Sequence, residues 1–162
     1  MFKKQELYRV ESVRDVGFEV AGLWEDDIHE IRSRLVLNVF SFSIIEAEIE
    51  AVRVPHDLCL VGLQNIKYLR GVSIGPGFNK LVSQITAGEK GCSIVADIVI
   101  NSFKSIIQAG SRQRPDWMDI ELYTGRWTEW MEKYKDICIY FAQPGVSMME
   151  IQKCIGNQES DA

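Results

Sequence analysis

The sequence has only two histidines and no closely spaced pair of cysteines, and these absences exclude several kinds of site. Its four cysteines are Cys59, Cys92, Cys138 and Cys154, with no C-x-x-C spacing among them. A zinc ribbon and a thioredoxin-type redox motif are therefore excluded. A thiol enzyme that uses a histidine base has few candidates for that base.

Long apolar runs and blocks of basic residues are also missing. No stretch of about 18 apolar residues predicts a membrane-spanning helix, and the start, Met-Phe-Lys-Lys-Gln-Glu, has no apolar segment typical of a signal peptide. The formal net charge is −5, whereas nucleic-acid binding requires clustered lysines and arginines. We expect a cytoplasmic protein with no membrane or nucleic-acid partner, whose cysteines remain thiols.

The N-terminal third of the chain predicts an antiparallel meander of four strands. Segments rich in β-formers alternate with turn formers such as Arg14-Asp15-Val16-Gly17. These segments lie near Glu6–Arg14, Val16–Trp24, Ile28–Val39 and Ser43–Arg53.

The fourth segment has the clearest period of two, which predicts one buried and one exposed face. The predicted buried face carries Ile45, Ala47, Ile49 and Ala51, and the exposed face carries Glu46, Glu48 and Glu50. In the third segment Arg32 and Arg34 lie opposite the apolar side chains. We expect these arginines to pair with the glutamates of the fourth strand, which helps to fix the register.

Three helices are predicted after the sheet, near residues 58–70, 79–87 and 93–109. Pro55 ends the strand pattern, and Asp57 is a suitable cap for the first helix. The third helix has Ser93 as its cap, Gly110 just past its end and apolar residues at spacings of three and four. The sequence therefore predicts an α+β fold in which a four-stranded antiparallel meander is covered on one face by helices.

The 162 residues are sufficient for one domain with an appended subdomain. We expect residues 1–110 to form the α+β core and residues 111–162 to form an extension packed on it, with a helix, a short strand near Asp136–Gln143 and a helix near Ser147–Ile155. Trp117, Trp127 and Trp130 lie in this extension. They either line a ligand or partner surface or close a small core.

Two short stretches have the residue types of a binding or reactive site. Cys92 lies between a glycine turn and the third helix, where the helix dipole favours a thiolate; the alternative is a small buried side chain. Gly75-Pro76-Gly77 leads into the second helix and either presents N–H groups to an anion or is a structural turn.

The string Tyr68-Leu69-Arg70-Gly71-Val72-Ser73-Ile74-Gly75-Pro76-Gly77-Phe78, followed by Gly91-Cys92, resembles the signature of an uncharacterised bacterial domain-of-unknown-function family. The resemblance covers roughly residues 8 to 110 and brings no assigned activity. Members of that family have a histidine and a glutamate after the cysteine, and this chain has Ile94 and Asp97 there. A role that needs that histidine is therefore not carried over.

The string Gly91-Cys92-Ser93-Ile94-Val95-Ala96-Asp97 is more distantly similar to one in the NifU-type iron–sulfur cluster assembly scaffolds, where a ligand cysteine opens a long helix. Their cysteine-glycine-aspartate-valine site falls on Ile28-His29-Glu30-Ile31, so Glu30 stands at the aspartate position. Their second cysteine falls near His56 or Cys59. The resemblance implies a scaffold-like fold and, less directly, a bound cluster or metal.

Three functions remain open on this sequence. The first is a metal- or sulfur-handling protein, in which Cys92, Cys59, His29 or His56, and Glu30 hold zinc or iron at one end of the sheet. The second is a dimeric ligand- or protein-binding module without a metal, with a second copy or another protein as its partner. The third is a thiol enzyme with Cys92 as the nucleophile. The first two, both non-catalytic, are favoured, and both histidines also suit ordinary turn positions.

Overall fold

The computed structural model describes residues 1–126 together with residues 139, 142 and 143. The chain divides into two compact units, Met1–Ile106 and Ile107–Ala162. Several predicted features therefore lie, wholly or in large part, outside the described residues: the strand near 136–143, the helix near 147–155, Trp127, Trp130, Cys138 and Cys154.

The first unit contains the predicted four-stranded antiparallel sheet, with strand order β1-β2-β3-β4. Its strands are β1 (Gln5–Val13), β2 (Gly17–Glu25), β3 (Glu30–Asn38) and β4 (Ser43–Arg53). Each boundary agrees with the sequence prediction to within two residues. The meander is therefore confirmed, and β1 and β4 form its two edges.

The two faces of the sheet differ in polarity as the alternation predicts. On the outer face Arg34 bonds to Glu46 and, at 2.8 Å, to Glu19, which confirms the predicted arginine–glutamate pairing. The prediction that Ile45 lies on the inner face is wrong, because a register shift between Val36 and Leu37 places Ile44 opposite Leu37. Ile44 is 3% exposed.

Helices α1 (Asp57–Leu63), α2 (Phe78–Thr86) and α3 (Ser93–Arg112) follow the sheet. The single helix predicted over 58–70 is wrong, because a 3₁₀ segment, Gln64–Leu69, replaces its second half. Its buried residues Leu63, Ile66 and Leu69 recur every three residues, which is the 3₁₀ repeat. The α3 helix also continues past Gly110, the predicted end, to Arg112.

The helices cover the inner face of the sheet and complete the core. Phe78 of α2 packs against Phe103 of α3, with ring centroids 5.1 Å apart. These rings line a small apolar space with Leu35 and Leu37 of β3 and Ile44 of β4. The α+β fold with helices on one face is thus confirmed.

The described part of the second unit contains the end of α3 and a short helical stretch, residues 120–126. The buried Tyr123 hydroxyl donates a hydrogen bond of 2.8 Å to the Gly110 carbonyl, and burial raises the pKa of Tyr123 to about 12. Among the residues described, no helix is both long and apolar enough to cross a membrane.

Candidate functional site

His29, a predicted metal ligand, closes the turn between β2 and β3. Its Nδ1 lies 3.0 Å from one carboxylate oxygen of Asp26 and 3.1 Å from the other. The Asp26 carboxylate also accepts the backbone N–H groups of Ile28 and His29, at 2.9 and 2.7 Å, and the Trp24 indole N–H at 3.2 Å. Burial would raise the pKa of Asp26, but these hydrogen bonds outweigh it and lower the pKa to about 2.

Glu30, the predicted acidic ligand, lies beside that turn at the start of β3. It accepts a hydrogen bond of 3.1 Å from Arg32 and is opposite Arg53 in the register. The Arg53 guanidinium donates to the carbonyl oxygens of Asp26, Asp27 and His29, at 2.8, 3.1 and 3.3 Å. The turn that carries His29 and Glu30 is thus bonded to the end of β4.

His56 and Cys59 lie at the start of α1. His56, rather than the predicted Asp57, caps the helix, because its Nδ1 accepts the Leu58 N–H at 3.0 Å. The Cys59 N–H donates to the His56 carbonyl at 3.0 Å. Cys59 is half-buried and has no disulfide partner.

Cys92, the centre of the predicted site, lies just before α3 and packs against α1. A Cβ added to Gly62 of α1 would lie 3.5 Å from the Cys92 Cβ and 3.0 Å from the Gly91 carbonyl, so the absence of a side chain at Gly62 permits this approach. Cys59 is one turn before Gly62, where Cβ atoms on one helix face are about 5–6 Å apart. The half-buried thiols of Cys59 and Cys92 therefore share one helix junction.

The five predicted ligands lie in two places. His56, Cys59 and Cys92 are near the α1 junction, while His29 and Glu30 are held in the turn between β2 and β3. In residues 1–126, no group of three or more histidine, cysteine, aspartate and glutamate side chains is arranged to hold a metal ion. The zinc or iron site therefore stays a prediction, and Cys59 and Cys92 are the pair on which it depends.

The segment just before the Gly-Pro-Gly turn is hydrogen-bonded to the start of β4. The Ile74 N–H donates to the Phe42 carbonyl at 2.7 Å, and the Ile44 N–H donates to the Val72 carbonyl at 3.0 Å. Gly77 precedes α2 with φ of +84°, a conformation that favours glycine. The bonds of Val72 and Ile74 and the positive φ of Gly77 give this motif the role of a structural turn beside the start of one sheet edge.

A polar network between β1 and α3 is absent from the sequence prediction. Glu6 accepts hydrogen bonds from the Tyr8 hydroxyl at 2.8 Å and from Asn101 at 2.9 Å, and Lys4 pairs with it at 2.8 Å. Burial and the Glu6 carboxylate raise the pKa of Tyr8. The alternation of β1 indicates that Glu6 and Tyr8 share a face, but no signal in the sequence identifies their partner on α3.

The two edges of the sheet differ in their backbone hydrogen bonding to neighbouring segments. Residues 71–74 bond to the start of β4, but β1 forms its ladder with β2 alone within the described part of the chain. Arg9 and Glu11, both exposed, lie on the outer face of this edge strand. The sequence predicts the strand itself; it gives no signal that this strand is an open edge.

No curated protein and no solved structure matches this chain. A family model described as a protein of unknown function (DUF2889) matches residues 9–108, which span the sheet except for the first four residues of β1, and most of α3. The relationship to iron–sulfur scaffolds stays a prediction, whereas the predicted family type is confirmed: the chain belongs to the DUF2889 family of proteins of unknown function.

Proposed function

We propose that this protein is a non-catalytic binding module that pairs an extended protein segment with the edge of β1. The observation that carries this proposal is that β1, 9 residues long, has a ladder partner on one side only among the described residues. In an antiparallel strand about every second residue directs its N–H and C=O groups away from that partner. Such an edge is a template for the addition of another strand.

The remaining geometry supports a module of this kind. The start of the opposite edge is covered by residues 71–74, whereas β1 has no second ladder partner along its whole length among the described residues. Both histidine rings are bonded at Nδ1, His29 to Asp26 and His56 to the Leu58 N–H. These contacts give each histidine a structural role at a turn or a helix start, which favours binding over thiol catalysis.

Selection of peptide partners tests this function directly. Random peptides of the length of β1 are selected on the immobilised full chain, and amide exchange of the chain is then measured with and without a selected peptide. At a chain concentration below that at which copies associate, we expect added protection in Gln5–Val13 and little change in Ser43–Arg53. Selected peptides that protect other elements and leave β1 unchanged would contradict the proposal.

Two neighbouring proline substitutions, Arg9→Pro and Val10→Pro, provide a matched control. Adjacent residues of β1 direct their N–H groups to opposite sides, so one variant loses a bond to β2 and the other loses only an outward N–H group. Circular dichroism identifies the variant that keeps the fold. That variant should bind the selected peptide more weakly, and unchanged affinity would contradict pairing at this edge.

A second candidate function rests on the thiol pair. Cys92 lies against Gly62 of α1, three residues after Cys59 and so on the same helix face, and thiolates bind zinc and iron. The predicted resemblance of residues 91–97 to iron–sulfur scaffolds, if it holds, implies the same chemistry. Two thiols are fewer than the four ligands of a closed site, so a bound metal would need further ligands from the bound species or from a partner.

A further inference from the structure

Arg9 and Glu11 are two oppositely charged side chains on the edge strand β1. Both are exposed, and the structure gives neither side chain a hydrogen bond or an ion pair within residues 1–126. Glu11 also lies directly opposite Glu19 of β2 in the register. Glu19 is already paired with Arg34 of β3, so Glu11 is the carboxylate of the two that lacks a cation within residues 1–126, and a cation beyond the edge would offset its charge.

A second β1 strand can supply that cation. When an isologous antiparallel pairing is centred on Val10, residue k faces residue 20 − k of the other copy, because the two-fold axis passes between the two Val10 residues. Arg9 then faces Glu11 of the second copy, and Glu11 faces Arg9. Leu7, which is 59% exposed, faces Val13. The paired residues lie on the same face, as cross-strand neighbours must.

In the neighbouring registers, Arg9 and Glu11 do not both face a residue of opposite charge. A pairing centred on Arg9 places the two Arg9 side chains opposite each other, and one centred on Glu11 does the same with glutamates. A pairing centred on Tyr8 leaves Glu11 opposite Gln5. Only the register centred on Val10 among these gives two opposite-charge pairs.

We infer that the partner strand is β1 of a second copy of this chain, paired antiparallel about Val10 with Arg9 facing Glu11 across the interface. This inference rests on the proposed binding function of the β1 edge and names its partner. The two sheets join into one continuous sheet with eight strands, four from each copy. The pairing satisfies the outward backbone groups of both edges at once.

Charge exchange tests the inference on the full chain by sedimentation velocity. We expect the wild type to dimerise. Arg9→Glu and Glu11→Arg should each weaken the dimer about tenfold, because each creates two like-charge pairs. The double variant should restore the dimer, whereas the control Arg70→Glu, which makes the same change of charge at an exposed position outside the sheet, should leave it unchanged.

A cysteine substitution tests the register. The two Val10 residues face each other with Cα atoms about 4.5–5.5 Å apart, so Val10→Cys should form a disulfide between copies under mild oxidation, confirmed by mass spectrometry of the linked peptide. Leu7→Cys is the control, because the two Leu7 positions are six residues out of register, roughly 20 Å along the strands. Equal crosslinking of both variants would overturn the register.

The outcomes separate this inference from the function on which it rests. If the wild type is monomeric, the partner of β1 is not a second copy of the chain. If it is a dimer that charge exchange does not affect, Arg9 does not face Glu11 across the interface. If the chain is monomeric while selected peptides still protect β1 from amide exchange, the binding function stands and the inference fails. If β1 binds neither, both fail.

Discussion

Asn101 of α3 donates a hydrogen bond of 2.9 Å to the carboxylate of Glu6 on β1, although the two residues are 95 positions apart in the chain. The same carboxylate accepts the Tyr8 hydroxyl. Burial alone would raise the pKa of Glu6, but its contacts with Lys4, Tyr8 and Asn101 lower it. The bond therefore joins α3 to the edge strand through one ionised side chain.

Removal of that carboxylate should destabilise the fold. Glu6→Ala leaves the partly buried Tyr8 hydroxyl and the Asn101 amide without their acceptor, and such losses cost about 1–3 kcal/mol. Urea unfolding measures the change. Glu48→Ala is the control, because Glu48 is 68% exposed and surface substitutions change stability by about 0.5 kcal/mol or less. Equal effects of the two substitutions would contradict the role of the network.

The carboxylate of Asp26 should make stability depend on pH in the acid range. Its pKa in the folded protein is about 2, below the ordinary value of 3.8, so the unfolded chain binds its proton first as the pH falls. This contribution is complete above about pH 5 and is lost between roughly pH 4 and 2, by about 1–2 kcal/mol. In urea unfolding measured at several pH values, Asp26→Asn should reduce the loss of unfolding free energy between roughly pH 4 and 2. An unchanged loss in this variant would show that other groups cause the acid dependence.

Gly62 should not tolerate a side chain. A Cβ at this position would lie 3.0 Å from two backbone atoms of Gly91, and overpacking of this kind costs about 1–3 kcal/mol. We expect Gly62→Leu to lower the thermal midpoint. Gly125→Leu is the matched control, since Gly125 is also helical and an added Cβ there meets nothing within 4 Å. A wild-type midpoint for Gly62→Leu would mean that the α1 junction can move apart.

The sheet was predictable because its determinants are local. Alternation, which is clearest in β4, indicates which face of a strand is buried, and turn formers divide the strands, so each boundary follows from a few adjacent residues. The arginine–glutamate pairing also follows, because Arg34 and Glu46 are on neighbouring strands of one hairpin. A single bulge near Ile44 was sufficient to shift the face assignment there, since one extra residue reverses the alternation.

The site was less predictable because its geometry depends on contacts between distant segments. The residue types at His29 and His56 suit metal ligands, but each ring is bonded within its own turn or helix cap. The approach of Cys92 to α1 depends on Gly62, and a glycine inside a helical pattern carries no such signal in one sequence. Side-chain chemistry can be read from single residues, whereas proximity requires the fold.

Metal titration tests the function of the thiol pair. Because Cys59 and Cys92 supply only two of about four ligands, we expect zinc and iron(II) to bind anaerobic apo-protein more weakly than a closed site would. Cys59→Ala and Cys92→Ala should each abolish binding, and His29→Ala should not, because the His29 ring is held by Asp26. A second measurement is the thermal midpoint with and without added metal, because a metal raises this midpoint only if it binds to the folded state. Equal, weak binding by the wild type and both cysteine variants would exclude a metal site at this junction and leave strand binding at β1 as the function to pursue.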